Sequence, residues 1–370
     1  MDKRNKTLAH NLVNYSCDVQ EGEKVLIEAT TGSEDLVVEL VKEIYAKKAY
    51  PFVSISNVFV KKEILRGMNK TEAELMAKYM SPQMSDMDCY IGIRGSDNIF
   101  ELSNIDSKNV ETFSKYYSKP IHHDIRVNKT KWVILGYPTS AFAQQAGKSS
   151  EEFCDFFYNV CNLDYSKMDK AMDNLKALMD RTDKVRIVSP NTDLSFSIKD
   201  IPAIKCSGKM NIPDGEVYTA PVKNSVNGKI TYNAGTMYNG LRFDNVCLEF
   251  KDGKIINATS SNTKALNEIL DTDDGARFVG EFAIGVNPYV NEPMLDILFD
   301  EKISGSIHFT PGACYQDAYN GNVSAVHWDL VLIQTEEHGG GEIYFDDVLI
   351  RKNGRFVIDE LLPLNPENLK

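Results

Sequence analysis

Lys24–Ser33 reads KVLIEATTGS, and this stretch decides the fold of the first half of the chain. Lys24–Ala29 is a short, nearly continuous apolar run of the kind that forms a buried strand. Thr31–Gly32–Ser33 follows as a turn able to cap a helix. Glu34–Ala49 then carries Leu36, Val37, Leu40, Val41, Ile44 and Tyr45 at helical spacing. Further along, Pro51–Ser56 (PFVSIS), Asp88–Ile93 (DCYIGI) and Lys131–Gly136 (KWVILG) read as three more strands. Strands alternating with helices predict an α/β domain whose mainly parallel sheet is covered by helices.

Ser149–Arg181 is a long helical stretch broken near Asn162–Ser166, and it leads through Arg181–Thr182–Asp183 into a strand at Lys184–Val188. The expected domain boundary lies there, dividing residues 1–185 from residues 186–370. Beyond it the pattern changes to many short β-like runs, among them Leu194–Ile198, Glu216–Ala220, Phe278–Gly285, Ser304–Phe309, Val326–Gln334 and Glu342–Arg351. Asp252–Gly253 and Asn353–Gly354 mark turns between such runs, and one helix, Asn262–Leu270, interrupts them. The second half reads as an antiparallel-rich α+β domain.

Composition narrows the function. A chain of 370 residues exceeds one typical core, which favours two domains. With 42% apolar and 25% charged residues it is an ordinary globular protein. A formal net charge of −12 disfavours nucleic acid and anionic membrane as partners, because both attract basic surfaces. The opening MDKRNKTLAHNLVNYSCDVQ has no apolar core of a secretory signal, and no run of ~18 apolar residues suggests a membrane span. The seven cysteines are scattered singly and none sits in CxxC, the pattern of reduced cytoplasmic thiols rather than of disulfides or a cysteine-based zinc site. GKSS at Gly147–Ser150 lacks the upstream glycine of a phosphate loop, since Phe142 stands there. No GxGxxG follows a strand, which disfavours a dinucleotide cofactor. His338 lies in EEHGGGE, whose glycines read as a hairpin tip.

The chemistry concentrates near the C-terminus, in Ser306–Asp329 (SIHFTPGACYQDAYNGNVSAVHWD) and in two earlier glutamates. His327 and Asp329 form H-x-D on the expected strand Val326–Gln334, where residues i and i+2 share a face and Trp328 packs on the other. Alone, the pair is equally compatible with a histidine satisfied on a sheet face. His308 ends the expected strand Ser304–Phe309 just before Thr310–Pro311–Gly312, and a rigid strand end opening into a loop suits a ligand. Glu216 follows the Pro213–Asp214–Gly215 turn, and Glu281 lies inside an apolar strand, where a carboxylate needs a partner. Glu301 closes the acidic run Asp296–Glu301, either as a further ligand or as solvated charge. Tyr315 sits in a glycine-containing loop, either packed or donating its phenol to an oxyanion. Imidazole and carboxylate in this mixture suit Zn, Co or Mn, so the residues point to a metallohydrolase.

The blocks NIPDGEVYTAP, GEFAIGVN, DEKISGSIHFTPGACY and NVSAVHWDL resemble the aminopeptidase T and aminopeptidase S family of dinuclear metallo-aminopeptidases. The resemblance implies two divalent ions per subunit (Zn, Co or Mn), with ligands at Glu216, Glu281, Glu301, His308, His327 and Asp329. Glu281 and Tyr315 are then the catalytic residues, Glu281 lying between the ions and Tyr315 steadying the oxyanion. It also implies short peptide substrates, a cytoplasmic enzyme and a homodimer enclosing its active sites. Two alternatives stay open: a dinuclear hydrolase of a non-peptide amide or phosphoester, and a non-catalytic binding protein of the same fold.

Overall fold

The structure, a computed structural model, describes residues 2–370. The chain divides into two compact units, Met1–Asn162 with Gly208–Ile212, and Leu163–Ser207 with Pro213–Lys370. This division by compactness falls between helices Ser150–Cys161 and Tyr165–Arg181. The second helix is amphipathic, and its buried face of Tyr165, Met168, Met172, Leu175 and Met179 belongs to the second unit. Among the described residues no helix is long and apolar enough to cross a membrane.

The first unit is built on the parallel strands β1 (Lys24–Thr30), β2 (Tyr50–Ser56), β3 (Cys89–Arg94) and β4 (Lys131–Gly136). Their order is β2-β1-β3-β4, and the two-residue strand Asn211–Ile212 adds beside β4, also in parallel. Parallel neighbours require crossovers, and helices supply them as the sequence pattern predicts. Helix Glu34–Ala46 buries Leu36, Val37, Leu40 and Ile44, whereas Tyr45 is exposed. The GKSS segment serves a structural purpose. Ser149 caps helix Ser150–Cys161, exchanging side-chain and backbone hydrogen bonds with Glu152.

The second unit carries two large antiparallel sheets besides a two-stranded one, Thr236–Tyr238 with Leu241–Phe243. One has eight strands and includes Lys184–Ser189, Thr192–Ser197 and Glu342–Phe345. The other consists of β5 (Ile204–Cys206), β6 (Glu216–Thr219), β7 (Val279–Gly285), β8 (Ser306–Pro311) and β9 (Val331–Ile333), in the order β9-β8-β7-β6-β5. Strand alternation gives this sheet two chemically distinct faces. Phe282 and Phe309 point one way and pack against Phe196. The register pairs Gly285 with Glu216 and Ala283 with His308, so Glu216, Glu281, Ala283, Gly285 and His308 share the other face. On it the small residues Ala283 and Gly285 leave room between the polar ones.

Two strands differ from the sequence expectation. His308 lies within β8 rather than at its end, because the strand continues through Pro311 and pairs on both sides. The run Val326–Gln334 is a strand only at Val331–Ile333, so His327 and Asp329 precede it. Gly312 lies close against this segment: its φ is +106°, and a Cβ there would lie 2.0 Å from the Val326 carbonyl oxygen. Pairing persists in a looser form, with Ala313 N donating to Val326 O at 2.7 Å and Trp328 N to Pro311 O at 3.2 Å. Trp328 itself is buried and stacks on Tyr238, as its place between His327 and Asp329 leads one to expect.

Gly285 holds the sheet against the Glu301–Ile303 segment. A Cβ at this position would lie 2.4 Å from Ile303 O and 3.0 Å from Glu301 O. Gly285→Ala should therefore push that segment away and destabilise the protein by about 1–3 kcal/mol, as overpacking does. Gly67→Ala meets nothing within 4 Å and should stay within about 0.5 kcal/mol of wild type. Thermal melts of the two variants compare them directly, and equal midpoints would refute the packing argument.

Candidate metal centre

The register of β6, β7 and β8 brings Glu216, Glu281 and His308 together from segments far apart in sequence. His308 Nε2 lies 3.1 Å from Glu281 Oε1 and 3.3 Å from Glu216 Oε2. His327 Nε2 lies 3.4 Å from Glu281 Oε2 and 3.2 Å from Asp329 Oδ1. Each oxygen of Glu281 thus faces a different imidazole. Three donor groups have ligand atoms within 4.8 Å of one another: Glu216 with Glu281 and His308, Glu281 with His327 and Asp329, and Glu301 with His308 and Asp329. All six residues singled out from the sequence as metal ligands meet in one pocket.

The donor set fits a divalent ion. A tetrahedral ion with ligands at ~2.1 Å places its ligand atoms ~3.4 Å apart, and the imidazole–carboxylate separations run from 3.1 to 3.4 Å. Glu216 Oε2, Glu281 Oε2 and His308 Nδ1 are buried and have no hydrogen-bond partner among the described residues. Buried carboxylate oxygens in that condition are costly without a cation. His327 is oriented for ligation. Its Nδ1 is 2.8 Å from Ala313 O, and a carbonyl only accepts, so Nδ1 carries the proton and Nε2 faces the carboxylates. Thr310 Oγ1 donates to Asp329 Oδ1 at 2.7 Å and fixes that carboxylate in turn.

Burial grades across the pocket. Glu216, Glu281 and His308 are at most 4% exposed, whereas the His327 side chain is 25% exposed. Tyr315 stands at the open side, its ring 4.9 Å from that of His327 and 5.6 Å from that of Tyr218. Tyr218 in turn donates its hydroxyl to Asp317 Oδ1 at 2.9 Å.

The electrostatics follow from so many acids in one place. Burial opposes charge on both imidazoles, but Glu216 and Glu281 outweigh it and push His308 up to about 9. Burial is likewise outweighed at His327, which Asp329 and Glu281 push up to about 10. Asp329 is held well below the usual carboxylate range, because His327 overcomes the effect of burial. Burial pushes Glu281 up against the pull of His308. Burial, with the charges of Glu281 and Asp329, also raises the Tyr315 phenol, which therefore stays an O–H donor at neutral pH.

Two members of the pocket were not foreseen as participants. Lys302 is buried, with Nζ 2.5 Å from Glu216 Oε1 and 2.6 Å from Glu301 Oε1. Asp214, which reads in sequence as a turn residue, places Oδ1 3.6 Å from the same ammonium. The available signal was the adjacency of Lys302 to Glu301 in an otherwise acidic and apolar run.

Known proteins resemble this chain over nearly its whole length. Aminopeptidase AmpS of Bacillus subtilis (strain 168) is 25% identical over 365 residues, covering 88% of each chain. Aminopeptidase PepS of Streptococcus thermophilus is 25% identical over an alignment of 407 positions, covering 94% of this chain and 96% of that one. Among solved structures, wild-type AmpT from Thermus thermophilus matches with a TM-score of 0.79 at 20% identity, covering 96% of this chain and 99% of its own, and supports the fold. A family model described as thermophilic metalloprotease (M29) matches residues 1–356. With that match spanning both units, the chain belongs to the M29 family of thermophilic metalloproteases.

Proposed function

We propose that the protein is a metallo-aminopeptidase that removes N-terminal residues from short peptides with the help of two divalent ions. The observation that carries the reading is the sharing of Glu281. Its two oxygens face two different imidazoles, each with a further carboxylate beside it. Glu216, Glu281 and His308 would hold one ion. Glu281, His327 and Asp329 would hold the other, with Glu301 beside His308 and Asp329 as a further ligand. Zn, Co and Mn all suit oxygen and nitrogen donors without thiolate. When bound, such a pair supplies Lewis acidity that activates water and polarises the scissile carbonyl. The relatives named aminopeptidases favour a peptide amino terminus as the substrate. A cytoplasmic homodimer belongs to the same reading.

The chain's own groups serve the reaction in distinct ways. Glu281 and Asp329 would hold the ions in place, Glu281 as the carboxylate common to both. Tyr315, with its phenol protonated at the open side, is placed to donate to the oxyanion that develops at the substrate carbonyl. A phosphoester substrate fits less well. Lys302 is engaged by carboxylates, and Arg277, the other nearby base in sequence, pairs with Asp271 at 2.6 Å.

Three outcomes test the reading. Chelation should abolish hydrolysis of aminoacyl-anilides, and Zn or Co should restore it; full turnover by verified metal-free protein would end the metal hypothesis. Glu281→Ala should lose at least about 10³-fold in rate, or roughly 4 kcal/mol of barrier, because one carboxylate serves both ions. N-acetylated peptides should resist cleavage while the same free peptides shorten one residue at a time, since an aminopeptidase pocket would hold the free α-ammonium on a carboxylate, and blocking the amine would remove that charge-assisted contact, worth roughly 1.5–3 kcal/mol. Internal fragments in a mass-spectrometric time course would exclude an aminopeptidase.

Metal loading should also release protons. In the metal-free state His308 and His327 titrate at about 9 and about 10, above their ordinary 6.5. Their ion pairs with the carboxylates stabilise the metal-free fold below pH 6.5, and this contribution is lost as pH rises through 9 to 10. A metal needs the neutral imidazoles, so its affinity rises with pH over the same window. Titration calorimetry at pH 7 in buffers of different ionisation enthalpy should give about two protons released per loaded pair of ions, one from each imidazole. Glu301, which burial pushes up to about 8 against the pull of Lys302, is the source of a third. Heats independent of buffer would show that the imidazoles are not the ligands.

A further inference from the structure

Lys302 is a cation enclosed by the proposed centre without being one of its ligands. Its side chain is 2% exposed, and a lysine is rarely buried so completely unless it is paired. Nζ lies 2.5 Å from Glu216 Oε1, 2.6 Å from Glu301 Oε1 and 3.6 Å from Asp214 Oδ1. Glu216 is thereby divided between two duties. Its Oε1 is taken by the ammonium, while Oε2, 3.3 Å from His308 Nε2, has no hydrogen-bond partner among the described residues.

Charge leads to the same place. The pocket holds five carboxylates, those of Asp214, Glu216, Glu281, Glu301 and Asp329. Two divalent ions bring four positive charges and leave one negative charge over, which the single charge of Lys302 neutralises. The ammonium also stands against two members of a fourth donor group, Cys206, Asp214 and Glu216, whose atoms lie within 4.8 Å of one another. That group is already supplied with a cation.

We propose that Lys302 is a positioning residue whose buried ammonium holds Glu216 by one oxygen, so that only the other is presented to the ion shared with Glu281 and His308. Glu301 is steadied by the same contact. The inference rests on the two-metal reading. Its test is therefore arranged so that the two can fail separately.

Metal-free wild type and Lys302→Met are titrated with Co²⁺ against a chromogenic chelator, and the visible spectrum of bound Co²⁺ is recorded. Wild type should bind two ions. The variant should bind one of them about 10- to 100-fold more weakly, the usual effect of removing a group that orients a ligand. Its Co²⁺ bands should also change in shape and intensity as Glu216 gains freedom to bind through both oxygens. Lys302→Gln, which loses the charge but keeps a donor, should show the same loss and serves where Lys302→Met does not fold. Unchanged affinities together with an unchanged spectrum in a folded variant would overturn the role of Lys302 alone. Failure of wild type to bind two ions would overturn the metal reading and this inference with it.

Discussion

Five carboxylates gathered on and beside one face of a small antiparallel sheet constrain the whole second unit. Moving an ionised carboxylate out of water costs several kcal/mol even after relaxation, and a folded domain has only about 5–15 kcal/mol of net stability. The pocket is tenable only with cations inside it. Without metal, the protein supplies them as Lys302 and two imidazoles whose protons the acids retain. Protonated His308 and His327 thus give the carboxylates positive charge in place of the ions that the same groups would bind. Metal loading becomes an exchange of imidazole protons for divalent charge within a fixed frame of oxygens.

That frame comes from strand alternation. Phe282 and Phe309 on the opposite face form an aromatic cluster with Phe196 and Phe250. Their burial anchors β7 and β8, and the residues between them must then face the pocket. A slip of one residue would exchange Glu281 with Phe282 and bury an aromatic ring among acids. The register that satisfies the apolar face is therefore the register that assembles the donors. Small residues complete the frame, with Ala283 giving space and Gly285 admitting the backbone of Glu301 and Ile303.

Much of this was legible in the sequence, for identifiable reasons. The parallel sheet follows from apolar runs alternating with helical periodicity. Glu281 declares itself because a carboxylate within GEFAIGV has no solvent to face. His327 and Asp329 meet as the H-x-D spacing predicts, although the chain there is not a regular strand. What remained hidden was non-local. No local pattern pairs Gly285 with Glu216 or Ala283 with His308. The return of Gly208–Ile212 to the first unit involves a two-residue strand, too short to show any periodicity. Lys302 was obscured by its neighbours, because a lysine beside a glutamate in an acidic run looks like solvated surface. Asp214 was obscured by its turn, where aspartate is common for reasons unrelated to catalysis.

The gradient of burial gives the pocket a direction. Glu216 and His308 lie at its closed end, beside the buried Lys302. His327 and Tyr315 lie at the open end, and Tyr315 is half exposed. On the proposed reading a substrate carbonyl would enter from that side, at the His327–Asp329 edge beside the Tyr315 phenol. The ion proposed at the Glu216–His308 end is shielded and better suited to a structural and charge-balancing part. The ion proposed at the His327–Asp329 end is the one a peptide can reach. Glu281 faces both ends, with one oxygen toward His308 and the other toward His327. The asymmetry follows from the fold: the closed end is built on regular strands, and the open end on the irregular segment that runs close against Gly312.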